Sequence, residues 1–103
     1  MPRCIIWLDD DPLRLVPYVD CHVCRSVNGM KQTIQKFENE CYTDFLLDLD
    51  HDLGEFAEDG GDGYELVKWL IETGRNNNHY QVKLHTMNVV GRMNMQQLLD
   101  RYW

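Results

Sequence analysis

Phe45-Leu-Leu-Asp-Leu-Asp-His-Asp-Leu-Gly54 is the segment from which the architecture of this chain can be inferred. Its apolar first half predicts a buried β-strand over 44–49. The carboxylates of Asp48, Asp50 and Asp52 repel one another and require a cation, a shared proton or water nearby. Because ligands bind at the carboxyl ends of strands in open parallel sheets, the end of this strand is predicted to be the floor of an active or metal site.

Strands and helices are predicted to alternate along the rest of the chain. Apolar runs predict further strands at 3–8, 18–23 and 80–84. Helical spacing of apolar residues predicts a helix capped by Ser26 that runs to about Glu38, and further helices over 64–72 and 94–102. Segments 55–61 and 88–91 are predicted loops, the first of them mobile. The first strand is apolar on both faces, which is typical of a central parallel strand covered by helices on both sides.

Length and composition place limits on the possible functions. At 103 residues the chain is predicted to be one α/β domain, 1–103, with a mostly parallel sheet of about four strands. The net charge of -7 argues against stable binding of duplex nucleic acid, which requires a basic surface, but permits a nucleotide bound through a metal ion. No apolar segment has the roughly 18 residues of a membrane span.

The first residues and the cysteines indicate a cytoplasmic protein. Met1-Pro-Arg-Cys4 leads directly into the first predicted strand, so no signal peptide is expected. Without a secretory signal, the four cysteines are expected to be reduced thiols. Cys21 and Cys24 have C-x-x-C spacing but are predicted to be ordinary strand residues, since no second pair completes a zinc site.

Two pairs of aspartates follow predicted strands and indicate a metal site. Asp9 and Asp10 end the first strand, and Asp50 and Asp52 follow the third. Since the carboxyl ends of parallel strands lie at one edge of a sheet, we expect these carboxylates to be neighbours. Carboxylate clusters suit Mg²⁺ or Mn²⁺ better than zinc, so the four residues are predicted to hold one of those cations. The alternative is that some of them only cap helices or belong to turns.

His51 and His85 are candidates for acid and base catalysis on a phosphodiester, with Asp50 as the third predicted catalytic residue. His51 lies between two carboxylates, which favour its charged form. His85 ends the fourth predicted strand and should open onto the same edge of the sheet. The sequence leaves open which histidine is the acid and which is the base. The alternative is that each has a structural role.

Three further residues are predicted to bind phosphate. Thr86 and Asn88 can donate hydrogen bonds to phosphate oxygens. Arg92 lies next to Gly91 before the last predicted helix, and a helix N-terminus with an arginine is suited to an anion. Capping at the protein surface is the alternative role for these side chains.

With these residues placed, the chain resembles a receiver domain. Receivers share the acidic pair Asp9-Asp10, an aspartate at the end of the third strand and a hydroxyl residue at the end of the fourth, here Thr86. Either Asp48 or Asp50 matches the phospho-acceptor. The chain differs from receivers because it has no helix of normal length between the first two strands. It also ends without the fifth strand and the lysine that pairs with the phosphoryl group.

A closer resemblance is to the cyclic-phosphate processing receiver domain family, and four segments carry it. They are Ile6-Trp-Leu-Asp-Asp10, Leu49-Asp-His-Asp-Leu-Gly54, Gly63-Tyr64 with the Trp69-Leu70 that follows, and His85-Thr-Met-Asn-Val-Val-Gly-Arg-Met-Asn-Met95. The resemblance implies a flavodoxin- or receiver-like three-layer α/β fold. It also implies a role in processing cyclic or terminal phosphates of nucleotides.

Three functional hypotheses follow. The first is a divalent-metal phosphoesterase that acts on a cyclic nucleotide or a 2′,3′-cyclic phosphate end. The second is a signalling receiver that is phosphorylated on Asp50 or Asp48, and the third is a module that binds a phosphorylated ligand without turnover. The aromatic end of the chain, Tyr102-Trp103, is expected either to close the core or to contact a second copy in a homodimer.

Overall fold

Four parallel strands form the central sheet. In the computed structural model, which describes residues 3–103, these are β1 (Cys4–Leu8), β2 (Cys21–Cys24), β3 (Phe45–Leu49) and β4 (Tyr80–Leu84). They lie in the order β2-β1-β3-β4, and every neighbouring pair is parallel. Three helices follow the last three strands: α1 (Val27–Asn39), α2 (Gly63–Glu72) and α3 (Val89–Tyr102). The predicted receiver- or flavodoxin-like α/β fold with four strands is confirmed.

The two faces of the sheet are covered differently. Alternate strand residues face one core together with apolar residues of all three helices: Cys4, Ile6, Leu8, Phe45, Leu47 and Leu49 from the two central strands, and Val27, Met30, Ile34, Phe37, Leu66, Val67, Leu70, Met95 and Leu99 from the helices. Trp7, Leu46 and Asp48 belong to the opposite face and are also buried. The third layer is therefore not helical among the described residues. The segment 9–20 reaches this face instead, since Tyr18 contacts the Trp7 ring and hydrogen-bonds to Asp48.

The helices α1 and α2 each bury one apolar face, as their helical spacing predicts. The Ser26 side chain caps α1, as predicted, by accepting a hydrogen bond of 3.0 Å from the Gly29 amide. The buried residues of α1 are Val27, Met30, Ile34 and Phe37, and those of α2 include Leu66, Val67 and Leu70, with Ile71 partly exposed beside them. The chain leaves α2 at Gly74, whose φ of 78° is a left-handed conformation that glycine adopts without strain.

Three predicted boundaries differ from the structure. The second strand is shorter than predicted, because Tyr18 lies outside it and Asp20 has a φ of 56°. The last helix begins at Val89 instead of 94, since Asn88 caps it although Val89 and Val90 are weak helix formers. The predicted loop 55–61 contains most of a short 3₁₀ helix, Gly54–Glu58. The adjoining Asp59 is bonded to the Ser26 hydroxyl and the Asn28 amide.

The remaining expectations concern the termini, thiols and membrane. Trp103 packs against the core, which is the first of the two roles predicted for the aromatic end of the chain. Cys21 and Cys24 are strand residues, as predicted, and occupy opposite faces of β2, and burial raises the pKa of the Cys21 thiol to about 11. In the described part of the chain, no helix is long and apolar enough to cross a membrane.

Gly63→Ala is expected to lower the free energy of unfolding by about 3 kcal/mol. A methyl group at this position would lie 1.9 Å from the Asp50 carbonyl oxygen, so α2 would have to move away from the end of β3. Gly74→Ala is the control, because it has open space around it and suffers only from its positive φ, at about 1 kcal/mol. Urea denaturation measures both, and equal losses would contradict close packing at Gly63.

Candidate functional site

The carboxyl ends of β1, β3 and β4 border an open cleft of about 560 Å³. This is the edge of the sheet at which the sequence predicts a site. The cleft is lined by acidic, hydroxyl and amide side chains, one arginine and a few apolar groups: Asp10, Asp11, Pro12, Arg14, Asp50, Asp52, Gly54, Thr86, Met87 and Asn88. Its composition is that of a polar, strongly acidic ligand site.

Asp50 is the most buried carboxylate in the cleft wall. It is 6% exposed, and its Oδ1 atom accepts a hydrogen bond of 2.8 Å from the His51 amide. Burial raises the pKa of Asp50, and the nearby negative charge of Asp9 raises it further. The His51 amide, the Thr86 hydroxyl and the charge of His85 oppose this change without cancelling it. A cation beside Asp50 would therefore stabilise its ionised form.

His85 lies between two buried carboxylates beneath the cleft. Its Nε2 atom is 3.0 Å from Oδ2 of Asp9, and its Nδ1 atom is 2.7 Å from Oδ1 of Asp48. Its ring stacks on Trp7 with 3.8 Å between centroids and 4° between planes. Both contacts are satisfied at once when both ring nitrogens carry protons. His85 therefore has no nitrogen free to exchange a proton with a ligand.

Asp48 faces this network and not the cleft. The Tyr18 hydroxyl donates a hydrogen bond of 2.5 Å to its Oδ2 atom, while His85 occupies Oδ1. Burial alone would raise the pKa of Asp48, but the hydrogen bonds from His85 and Tyr18 outweigh it and hold the pKa below its usual value. Between Asp48 and Asp50, only Asp50 is therefore placed to meet a ligand in the cleft.

His51 is held by Asp52 in a way that leaves one ring nitrogen free. Its Nδ1 atom is 2.7 Å from Oδ1 of Asp52, and Asn88 donates to both oxygens of Asp52 at 3.1 Å. The hydrogen bonds from His51 and Asn88 lower the pKa of Asp52. Gly91 packs against the ring so closely that a Cβ atom there would lie 2.5 Å from it. Within residues 3–103, Nε2 of His51 has no hydrogen-bond partner.

The His51 ring lines a separate hollow of about 420 Å³ next to the cleft. Gly61, Asp62, Tyr64, Glu65 and Asn94 complete that hollow. Asp52 lines the cleft and is bonded to His51, so this pair lies between the two depressions. The structure does not bring His51 and His85 together in one cavity wall.

Three of the four predicted metal ligands divide between two groups. Asp9 and Asp50 have ligand atoms within 4.8 Å of each other and of His85. Asp52 forms a second such group with His51 and Asp62. Asp10 lines the cleft but belongs to neither group. In the first group, Asp9 is fully buried and already contacts His85, which leaves Asp50 as its accessible carboxylate.

The predicted phosphate-binding residues also differ in position. Thr86 is buried at the cleft wall, and its Oγ1 atom accepts a hydrogen bond of 3.1 Å from the Asn88 amide. The Asn88 side chain caps α3 by accepting from the Gly91 amide at 2.9 Å. Arg92 is exposed on the first turn of α3 and does not line the cleft, whereas Arg14 does.

Sequence reasoning missed Arg14, Tyr18 and the role of Asp48. Arg14 follows the acidic turn after the first strand, and a cation in a loop next to a predicted acidic site is the signal that could have identified it. The alternation of side chains along β3 places Asp48 on the face opposite Leu47 and Leu49, so its separation from the helical core could also have been inferred.

His85→Leu is expected to lower the free energy of unfolding at pH 7 by about 3 kcal/mol, because it leaves Asp9 and Asp48 buried without their shared partner. The depressed pKa of Asp48 stabilises the folded protein above the usual aspartate pKa, and this contribution is lost as pH falls through the folded-state pKa. The difference between the variant and the unaltered protein should therefore shrink below about pH 4.

Urea denaturation at pH 7 and at lower pH measures this difference, and His79→Leu is the control because His79 is exposed and its ring contacts no carboxylate in the described structure. A loss that is small, or that is the same at both pH values, would show that His85 does not neutralise the two aspartates.

Comparison with known proteins identifies the family of the chain. The sequence model of the cyclic-phosphate processing receiver domain matches residues 4–101, which is nearly the whole chain. No curated protein and no solved structure matches the chain at a significant level. The match spans the strand ends that carry Asp9, Asp50 and Thr86, together with α1, α2 and all but the last residue of α3. The chain belongs to the cyclic-phosphate processing receiver domain family.

Proposed function

We propose that this chain is a metal-dependent phosphoesterase that opens the cyclic phosphate of a nucleotide or of a nucleotide end. The observation that carries the proposal is the environment of Asp50. This buried carboxylate has a raised pKa, lies beside Asp9 and the Thr86 hydroxyl, and forms part of the wall of an open cleft. Such a carboxylate is suited to bind a cation, and the family is associated with cyclic phosphates.

The donors at this position fit a hard divalent cation. Asp50 offers a carboxylate oxygen at the cleft wall, Asp10 lines the same cleft, and Asp9 lies close to Asp50 although its own oxygens already contact His85 and Arg14. Oxygen ligands of this kind suit Mg²⁺ or Mn²⁺. When bound, the cation would supply Lewis acidity toward a phosphoryl oxygen and would make a nearby water more acidic. In this proposal the Thr86 hydroxyl turns its single hydrogen from Asp50 to another phosphoryl oxygen.

His51 is the proposed acid or base. Asp52, itself held by Asn88, fixes the ring through Nδ1 and leaves Nε2 to accept or donate a proton. For this role the cyclic phosphate has to bind where the cleft and the hollow adjoin, with its phosphoryl group near Asp50 and a ring oxygen toward His51. His85 takes a positioning role in this proposal, because both its nitrogens contact buried carboxylates.

A receiver-type phosphorylation is the second candidate, and the position of Asp50 supports it as well. Asp50 lines the cleft next to Thr86, whereas both oxygens of Asp48 are occupied, so Asp50 is the proposed acceptor in this case. Acetyl phosphate with Mg²⁺ distinguishes the candidates. A stable acyl phosphate on Asp50, without opening of any cyclic phosphate, would favour the receiver. Binding of a ligand that is recovered intact would favour a module without turnover.

Asp50→Asn is expected to lower metal-dependent hydrolysis of 2′,3′-cyclic mononucleotides by about a thousandfold or more, since it removes the accessible metal ligand. Phosphorus NMR of purified protein with Mg²⁺ or Mn²⁺ follows ring opening. Asp44→Asn is the matched control, because Asp44 is half-exposed and pairs with Arg3 at the opposite end of the sheet. Turnover retained by the Asp50 variant would remove this residue from the mechanism.

His51→Gln is expected to lower kcat by about a hundredfold to ten-thousandfold while metal affinity changes little. The side chain keeps its approximate size but cannot transfer a proton, so the pH dependence of kcat should lose one limb. Steady-state kinetics across the pH range measure this. A uniform loss with an unchanged pH profile would indicate that His51 only supports the structure.

A further inference from the structure

We propose that Arg14, on the turn after β1, is the residue that binds the phosphoryl oxygens of the ligand. This inference rests on the proposed function only in taking the cleft ligand to be a phosphate. It does not depend on turnover, because a phosphate that binds without being hydrolysed would also need the positive charge of Arg14. The sequence alone favoured Arg92 for this role.

The charge of the cleft makes such a residue necessary. Its wall contains four carboxylates, those of Asp10, Asp11, Asp50 and Asp52, and the guanidinium of Arg14 is the single cationic group among its lining residues. A phosphate that enters this cleft is repelled by the carboxylates unless cations face it. A divalent metal at Asp50 would supply one of these cations, and Arg14 supplies the other from the chain itself.

The guanidinium is held through two of its nitrogens, and its third nitrogen is free. Its Nε atom lies 3.0 Å from Oδ2 of Asp9, and Nη1 donates a hydrogen bond of 3.2 Å to the carbonyl oxygen of His85. In the described structure Nη2 makes no hydrogen bond, and the side chain is 31% exposed. An arginine has five N–H donors, so these two contacts leave the two donors of Nη2 and one of Nη1 for phosphoryl oxygens.

The turn that carries Arg14 is held by several hydrogen bonds. The Asp9 side chain accepts from the Asp11 amide at 2.9 Å, and the Arg14 amide donates to the Asp11 carbonyl at 3.3 Å. Arg25, which does not line the cleft, donates hydrogen bonds to the carbonyl oxygens of Asp9 and Asp11. The guanidinium is therefore positioned before a ligand arrives, which reduces the entropy that is lost on binding.

Lysine should not replace arginine here. The present contacts use one nitrogen for Asp9 and a second for the His85 carbonyl, and they leave a third for a ligand. A lysine has a single nitrogen at the end of a flexible chain, so it cannot keep the first two contacts and also bind two phosphoryl oxygens. Arg14→Lys is therefore expected to lose most of the affinity although its charge is unchanged.

The test measures binding of two probes, inorganic phosphate and 2′,3′-cyclic AMP, to the full chain in the presence of Mg²⁺, by titration calorimetry or NMR. Arg14→Gln and Arg14→Lys are each expected to weaken binding of both probes by about tenfold to a hundredfold. Arg101→Ala, which alters an exposed arginine in the last turn of α3, is the matched control and should leave both affinities unchanged. Arg92→Ala tests the competing arginine.

The affinity for Mg²⁺ alone provides an independent readout. Arg14→Gln removes a positive charge from an acidic cleft, so it should tighten Mg²⁺ binding while it weakens phosphate binding. A variant that had merely unfolded would lose its affinity for Mg²⁺ and its affinity for phosphate. Opposite changes for the cation and the anion, with a circular dichroism spectrum like that of the unaltered protein, would therefore support the proposal.

Three outcomes would overturn it: unchanged phosphate affinity in Arg14→Gln, a loss confined to Arg92→Ala, or no binding of either probe by the unaltered protein. Hydrolysis is scored separately from binding. Arg14-dependent binding without any ring opening would sustain this proposal and reject the phosphoesterase. Ring opening at an unchanged rate in the Arg14 variants would support the phosphoesterase and reject the role of Arg14.

Discussion

The contact that Asp9 and Asp48 share with the His85 ring is the interaction on which the rest of the site depends. Two carboxylates buried this deeply are unstable without a cation, and His85 serves both while it stacks on Trp7. Arg14 then contacts Asp9 from the side of the cleft, and Tyr18 contacts Asp48 from the opposite side. The position of the cleft wall is thus set by a largely buried charge network, of which Arg14 is the member that lines the cleft.

This network also explains how the chain covers a sheet face that carries no helix in the described structure. Polar side chains at the centre of a sheet usually indicate exposure, yet Asp48 is 5% exposed. Tyr18 from the segment 9–20 and His85 from the end of β4 close over it, and together they bury Trp7 as well. One short segment therefore covers the core and also supplies part of the ligand site.

The sequence predicts the parts of this fold that depend on local pattern. Apolar runs identify all four strands, and the cap at Ser26 and the stripes of α1 and α2 follow from side-chain chemistry and spacing. The strand ends that meet at the cleft, with Asp10, Asp50 and Thr86, follow from the parallel arrangement alone. Arg14 and Tyr18 were missed because their roles depend on the path of an irregular segment, and such a path is set by tertiary contacts.

Asn88 could be identified as a polar group near the site, but its use as a helix cap competes with its use as a ligand, and sequence alone does not decide between them.

Segment 9–20 buries little apolar surface, and this has a thermodynamic consequence. Leu13, Leu15 and Val19 are largely exposed, so little apolar burial holds the segment, and its attachment depends on the hydrogen bonds and ion pairs of Arg14, Tyr18 and Asp11. A segment of this kind opens at a lower free energy than the core strands beneath it. Any ligand bound to Arg14 favours the closed state by mass action. Slower amide hydrogen exchange within segment 9–20 would therefore record occupancy of the cleft.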